Sequence, residues 1–386
     1  MSESEEPRNP FQFMLDDLLR AIGSANLDPE AVRRQFMGVA FGAAAANEMP
    51  PVAERSRIEG LFELATRQVA SCGLLPEEVA RPFRVVTAAE LGERMLVGLS
   101  PYLDLLAQAL SGQVEGGAPA PGELAITSEL DLARLTASLS ATVGPMFANG
   151  QIGSVLGHYA LGALSLCDLP LPVGGADERL VVGHNLIAAA ESVHATLEEV
   201  ALYWLMREQV IAWVLSRPAV ADRLDTELRL YLLDLKADTS RMVQGLAEGV
   251  MNDPNFLVNF DPTSVLQSPS SPAQEANLAD LMATMAVVMA VHELVMAEVA
   301  PRVFGGAPWI ERLKERLDSE PARVMLASVF GLRPAEIRAR AERFAAGVTR
   351  EHAAELVGAL GDSDRFPSAA EVDDPGLWLL RLQMGE

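Results

Sequence analysis

A chain of 386 residues with 49% apolar content is long enough for two or three domains of ordinary size and can fill their cores. Its formal net charge of −23 argues against nucleic acid and acidic membranes as partners, since neutralising phosphates takes clustered Lys and Arg. Aromatic residues make up only 5%, while Ala, Leu, Val and Glu dominate, which predicts a mainly α, multi-helix fold with little or no sheet. Cys72 and Cys167 form no CxxC motif and read as two buried free thiols in a reducing compartment.

Residues 1–10, MSESEEPRNP, are acidic and polar, which predicts a disordered tail rather than a secretory signal, and a cytoplasmic protein. Residues 11–111 read as an N-terminal helical region. It opens with a short amphipathic helix from Phe11 to Ile22. Asp28 then caps a helix with Pro29 at its first position and Ala31 to Asn47 behind it. The small residues of GVAFGAAAA, Gly38 to Ala46, predict close approach of another helix. Pro51 opens a helix to about Ala70, and Thr87 with Glu90 forms a capping box for another from Ala88 to Leu110.

Residues 112–123, GQVEGGAPAPGE, read as a linker or surface loop and mark a domain boundary, with a second helical region over 124–386. Leu124 to Leu166 predicts two helices separated near Gly144-Pro145. His158, among Gly and Ala in the second, is expected as a hydrogen-bonded core residue rather than a ligand. Asp168 to Asn185 breaks the pattern, with a short strand at Arg179 to Val182 and a brief helix after it.

Thr196 and Glu199 form the capping box of the next helix, TLEEVALYWLMREQVIAWVLS, which stops at Arg217-Pro218. Ala219 to Val250 continues helically, and Asn252 to Asp261 is turn-rich. Ser271 caps a helix with Pro272 in its first turn and Gln274 at the capping-box position. Its apolar centre, Leu281 to Val291, is too short and too closely flanked by charge to span a bilayer, so no membrane insertion is expected. Met282, Met285, Met289 and Met296 are expected to fill gaps in the core. Short helices begin at Pro321, Pro334 and Pro375, and RPAEIRARAERFAAGV reads as a surface helix whose charges meet water.

A zinc hydrolase carries His-Glu-x-x-His on a helix, because i and i+4 place both imidazoles on one face and the Glu can deprotonate the metal-bound water. Two fragments approach that pattern: Arg207-Glu208-Gln209-Val210-Ile211 and His292-Glu293-Leu294-Val295-Met296. No GxSxG occurs, and neither Cys has a neighbouring His, so nucleophilic catalysis has no comparable support.

Several segments resemble an actinobacterial family of zincin-like, zinc-dependent metalloproteases, some members of which are associated with deazaflavin coenzyme biosynthesis. They include NPFQFMLDDLLRAIG, the Gly/Ala-rich stretch ending in LPLPVGG, LEEVALYWLMRE, the Met-rich helix, LASVFGLRPAEIRARAERF and FPSAAEVDDPG. The resemblance implies a zincin-like fold and makes Glu208 the counterpart of the general base, with Arg207 and Ile211 at the two imidazole positions. It also sets MAVHELVMAE beside a downstream ligand helix, retaining Glu293 and placing Met289, Val291 and Leu294 where the family has Glu and two His.

Arg, Ile and Met at those positions cannot hold Zn²⁺ in the family's manner, so the expectation is a degenerate member without metal. The function implied is a catalytically inactive homologue that binds an unknown protein or peptide. The alternatives are an active metallohydrolase with an atypical site, in which His194, Glu198, His292 and Glu293 supply donors, and a structural or assembly protein. Two arrangements of the central pair stay open: Arg207 ion-paired with one or both of Glu208 and Glu293 in a buried cluster that brings the carboxylates together, or Arg207 and Glu208 on the solvent side of the helix.

Overall fold

The computed structural model describes residues 28–42, 46–75, 82–111, 129–173, 179–235, 271–348 and 350–384, with 111, 129–144, 147 and 350 as backbone alone. The expected tail, the Phe11–Ile22 helix, the 112–123 linker and everything expected between Lys236 and Ser270 lie outside the described residues.

The chain opens with α1 (Pro29–Gly42), α2 (Val52–Gly60) and α3 (Phe62–Ala70), followed by β1 (Phe83–Val86), α4 (Ala88–Ser111), α5 (Glu129–Gly162) and β2 (Arg179–Val182). Next come α6 (Gly183–Val193), α7 (Leu197–Leu215), α8 (Pro218–Leu233) and α9 (Pro272–Phe304). The C-terminal part holds α10 (Trp309–Ser319), α11 (Pro321–Val329), α12 (Pro334–Gly347), α13 (Arg350–Ala359), α14 (Ala369–Asp373) and α15 (Pro375–Met384). The fold is mainly α.

Helix α7 occupies the centre. Its capping box is formed as expected, with the Glu199 amide donating to Thr196 Oγ1 at 3.2 Å and the Thr196 amide donating to Glu199 Oε2 at 3.0 Å. Every residue from Val200 to Val214 is buried. A helix apolar on all sides has no face to offer water and must be enclosed. Its neighbours are α2, α3, α6, α8, α9 and β2.

Helix α9 is the second core element, capped by Ser271 and stopped at Gly305, whose φ of 62° suits glycine. Although its centre is short, the whole helix of 33 residues is long and apolar enough to cross a membrane, and 72% of its most apolar window is buried inside the protein. Met282, Met285 and Met296 fill core space as expected, while Met289 is only partly buried.

Strand β2 falls where the sequence placed it. Its parallel partner β1, in register from Phe83↔Arg179 to Val86↔Val182, was not anticipated. The pair joins chain before residues 112–123 to chain after them, and buried apolar side chains run continuously from Met37 to Trp378.

Several expectations are corrected. The stretch from Pro51 to Ala70 is two helices that part after Gly60, at Leu61. The expected break near Gly144-Pro145 is absent, and α5 runs through Pro145, since proline's fixed φ is itself helical and only one backbone hydrogen bond is forfeited. His158 is exposed rather than in the core, because the buried face of α5 is set by Val155, Leu156, Tyr159 and Ala160. The charges of α12 meet partners, not only water: Arg338 reaches Asp318 at 2.6 Å, and Arg340 reaches Asp373 at 2.9 Å.

Close packing of α1 on α5 also has a different origin from the one expected. A Cβ at Gly38 or Gly42 would meet nothing within 4 Å. The approach is made by α5, where a Cβ at Gly153 would collide with the Arg33 carbonyl and one at Gly157 with the Ala40 side chain at 2.8 Å. Beside this contact the buried Arg33 ties three helices together, donating to Asn149 Oδ1 of α5 and Asp104 Oδ1 of α4, both at 2.6 Å.

Candidate functional site

Past the end of α5 the chain turns along β2. Asn185 Nδ2 donates to the terminal carbonyls of Ala160 and Ala163 at 3.3 and 2.7 Å, which stops the helix. The Val182 amide then donates to Leu164 O at 2.9 Å and the Leu166 amide to Leu180 O at 3.1 Å, so Leu164–Leu166 lie antiparallel beside β2. This lays Ser165 to Asp168 along α7.

Trp204, Arg207 and Glu208, spaced i, i+3 and i+4, share the face of α7 that meets this segment. Trp204 Nε1 donates to Ser165 Oγ at 2.8 Å, and the Ser165 hydroxyl donates to Glu208 Oε2 at 2.6 Å. The Cys167 amide donates to both carboxylate oxygens of Glu208 at 3.2 Å. Arg207 donates to the carbonyls of Cys167 and Asp168 at 3.1 and 2.9 Å, and its guanidinium stacks on the Trp204 ring, 4.3 Å from the centroid.

Glu208 is 0% exposed and Arg207 4%, so the solvent-facing arrangement is overturned. Burial pushes the Glu208 carboxyl above its ordinary value, opposed by the hydrogen bond from Ser165, the charge of Arg207 and the bonds from Cys167. The Cys167 thiol is likewise raised by burial and by Glu208. Both Cys72 and Cys167 are free and buried, as expected.

The ion-paired cluster is corrected as well. Arg207 pairs with neither Glu208 nor Glu293: its two terminal nitrogens donate to backbone carbonyls, and one of them also meets the Met289 Sδ at 3.9 Å. Nor do the two carboxylates share a partner. Glu293 receives Lys314 Nζ at 3.2 Å and lies 3.2 Å from His292 Nδ1, while Glu208 is held by the 165–168 segment. Two buried like charges avoid one another, and each has found its own donors.

Burial raises the Glu293 carboxyl, but contacts with His292 and Lys314 outweigh it and bring the value down to about 2. Burial holds the His292 ring below its ordinary value, so at neutral pH Lys314 is the charged partner. A carboxyl depressed on folding adds stability that is present above its unfolded value and lost as pH falls towards the folded one. Denaturant titrations between pH 5 and pH 2 should therefore show a shallower loss of stability in Glu293→Gln than in the parent, with the difference confined to that window.

Ile211 is fully buried among apolar side chains. His194 is exposed, in the left-handed conformation that ends α6, and Glu198 pairs with Arg57 at 3.4 Å, so these two do not converge with His292. Among the described residues no three His, Cys, Asp or Glu side chains gather as metal ligands would.

Residues 35–379 match the sequence profile of the zincin-like metallopeptidases. The chain belongs to that family. A crystal structure from Chloroflexus aurantiacus, provisionally assigned as a hydrolase with a novel fold, is similar to this zincin-like chain with a TM-score of 0.58 at 18% identity. The similarity covers 91% of this chain and 97% of that one and concerns the fold. No curated protein matches the sequence.

Sequence reasoning found Arg207, Glu208, His292 and Glu293 but missed their partners Ser165, Asp168, Trp204 and Lys314. One signal was readable: Trp204, Arg207 and Glu208 occupy one face of an otherwise apolar helix, which requires polar groups opposite.

Proposed function

We propose that this member of the zincin-like metallopeptidase family is noncatalytic, holds no zinc, and acts by binding a protein or peptide. The observation that carries the reading is the engagement of Glu208: a general base needs a free oxygen facing metal-bound water, whereas both of its oxygens are enclosed and bonded to Ser165 and Cys167. The donor set supports it too. Arg207 offers only N–H donors and Ile211 none, so the positions matching the two imidazoles do not suit a zinc ion.

Elemental analysis of the purified chain tests this directly. The expected result is zinc far below one per chain, with a melting temperature that a chelator leaves unchanged, since a bound metal would stabilise the fold by mass action. One zinc per chain together with peptidase activity lost in Glu208→Gln would establish the opposite.

A further inference from the structure

A cavity of about 40 Å³ lies where α7 and α9 face α10, α11 and α12. That is roughly three times what one water requires by the same measure, enough for a group of a few heavy atoms. In a chain whose net charge is −23 its wall is unusual. Arg207, Lys314, Arg323 and Arg338 line it against only two carboxylates, Glu293 and Asp318.

Three of those cations have carboxylate partners. Lys314 reaches Glu293 and the more exposed Glu311 and Glu342, Arg338 reaches Asp318 and Glu342, and Arg323 reaches Asp168 and Asp318. Arg207 has none. Its charge is met by carbonyl dipoles and the Trp204 ring, at a site 4% exposed. Opposite it, from α9, stands His292, 1% exposed, with Nδ1 3.2 Å from Glu293 and Nε2 without a hydrogen-bond partner. A buried guanidinium with no carboxylate in direct contact and a buried imidazole whose Nε2 has no partner, on one small cavity, form an incomplete site.

We propose that this cavity binds a compact oxyanion, the carboxylate or phosphate group of a ligand, between Arg207 and His292. A planar carboxylate or a phosphate oxygen can accept from the guanidinium edge and from His292 Nε2, the ring taking up a proton from solvent as the anion binds, with Glu293 beside Nδ1 accepting from the other ring N–H. The partly exposed Lys314, Arg338 and Asp318 stand at the mouth and leave room for the rest of the ligand outside. The inference names the chemistry that the noncatalytic cleft recognises, and it rests on that reading because a metal ion in the same place would repel Arg207.

The test is titration of the full chain, after elemental analysis, with sodium phosphate, sodium acetate and short peptides bearing either a free or an amidated C-terminus, at constant ionic strength. The expected result is saturable binding of at least one oxyanion with a rise in melting temperature, absent with chloride. Binding should weaken about tenfold or more in Arg207→Gln and in His292→Leu, as loss of a charge-assisted hydrogen bond implies. Should Arg207→Gln fail to fold, His292→Leu carries the same comparison. Preference for the free over the amidated peptide identifies a chain end as the source, and response to phosphate or acetate alone identifies a small-molecule group.

A metal-free protein that ignores every oxyanion, or binds them equally well in each variant that folds, overturns the inference alone. Stoichiometric zinc overturns the noncatalytic reading and this inference with it.

Discussion

Replacing Glu208 by alanine is expected to lower the free energy of unfolding by roughly 3–5 kcal/mol, and replacing it by glutamine to change it by less than about 1 kcal/mol. Alanine leaves the Cys167 amide and the Ser165 hydroxyl without their acceptor in a place water does not reach, at about 1 kcal/mol or more each, and opens a cavity besides. Glutamine keeps an oxygen for the amide and removes a carboxyl whose ionised form burial disfavours. The sign with pH follows. A carboxyl raised on folding contributes stability that is present at acid pH and lost as pH rises through the folded value, so glutamine gains on glutamate as pH increases. Urea denaturation of both variants at two pH values measures this. A catalytic glutamate would behave differently, with little effect on stability in either variant and loss of activity in both.

Gly153→Ala is expected to destabilise the protein by about 3 kcal/mol, and Gly38→Ala to stabilise it by up to about 1 kcal/mol. Both glycines are helical, one on each side of the α1–α5 contact. The added methyl at Gly153 meets the Arg33 backbone, which cannot move without carrying the buried link to Asn149 and the part-buried link to Asp104 with it. At Gly38 the methyl meets open space, and only the gain in helix propensity remains. Thermal unfolding of the two variants side by side separates packing from propensity. Equal effects would mean that the two helices are not in contact as described.

What the sequence disclosed divides along the range of the interactions. The start of α7 was readable because Thr196 and Glu199 bond each other within one turn. Strand β2 was readable from its own residues. Its partner was not, since a parallel pairing across nearly a hundred residues leaves no local trace in Phe83–Val86. The same limit applied at the site. Glu208 announced itself as a carboxylate in an apolar helix, but its donors are a serine more than forty residues earlier and a main-chain amide, which has no residue signature at all. Arg207 was expected to seek a carboxylate and took backbone carbonyls instead, an acceptor every residue offers. Family resemblance pointed to α7, and side-chain geometry alone told what its polar residues hold.

The grip of α7 on residues 165–168 also bears on which substitutions the helix tolerates. Of two histidines placed at positions 207 and 211, the first would take the Arg207 donors away from the buried carbonyls of Cys167 and Asp168. The second would set an imidazole in a space now filled by a fully buried isoleucine. Each of the two substitutions therefore lowers stability by itself, and the buried contacts of α7 make both positions costly to change.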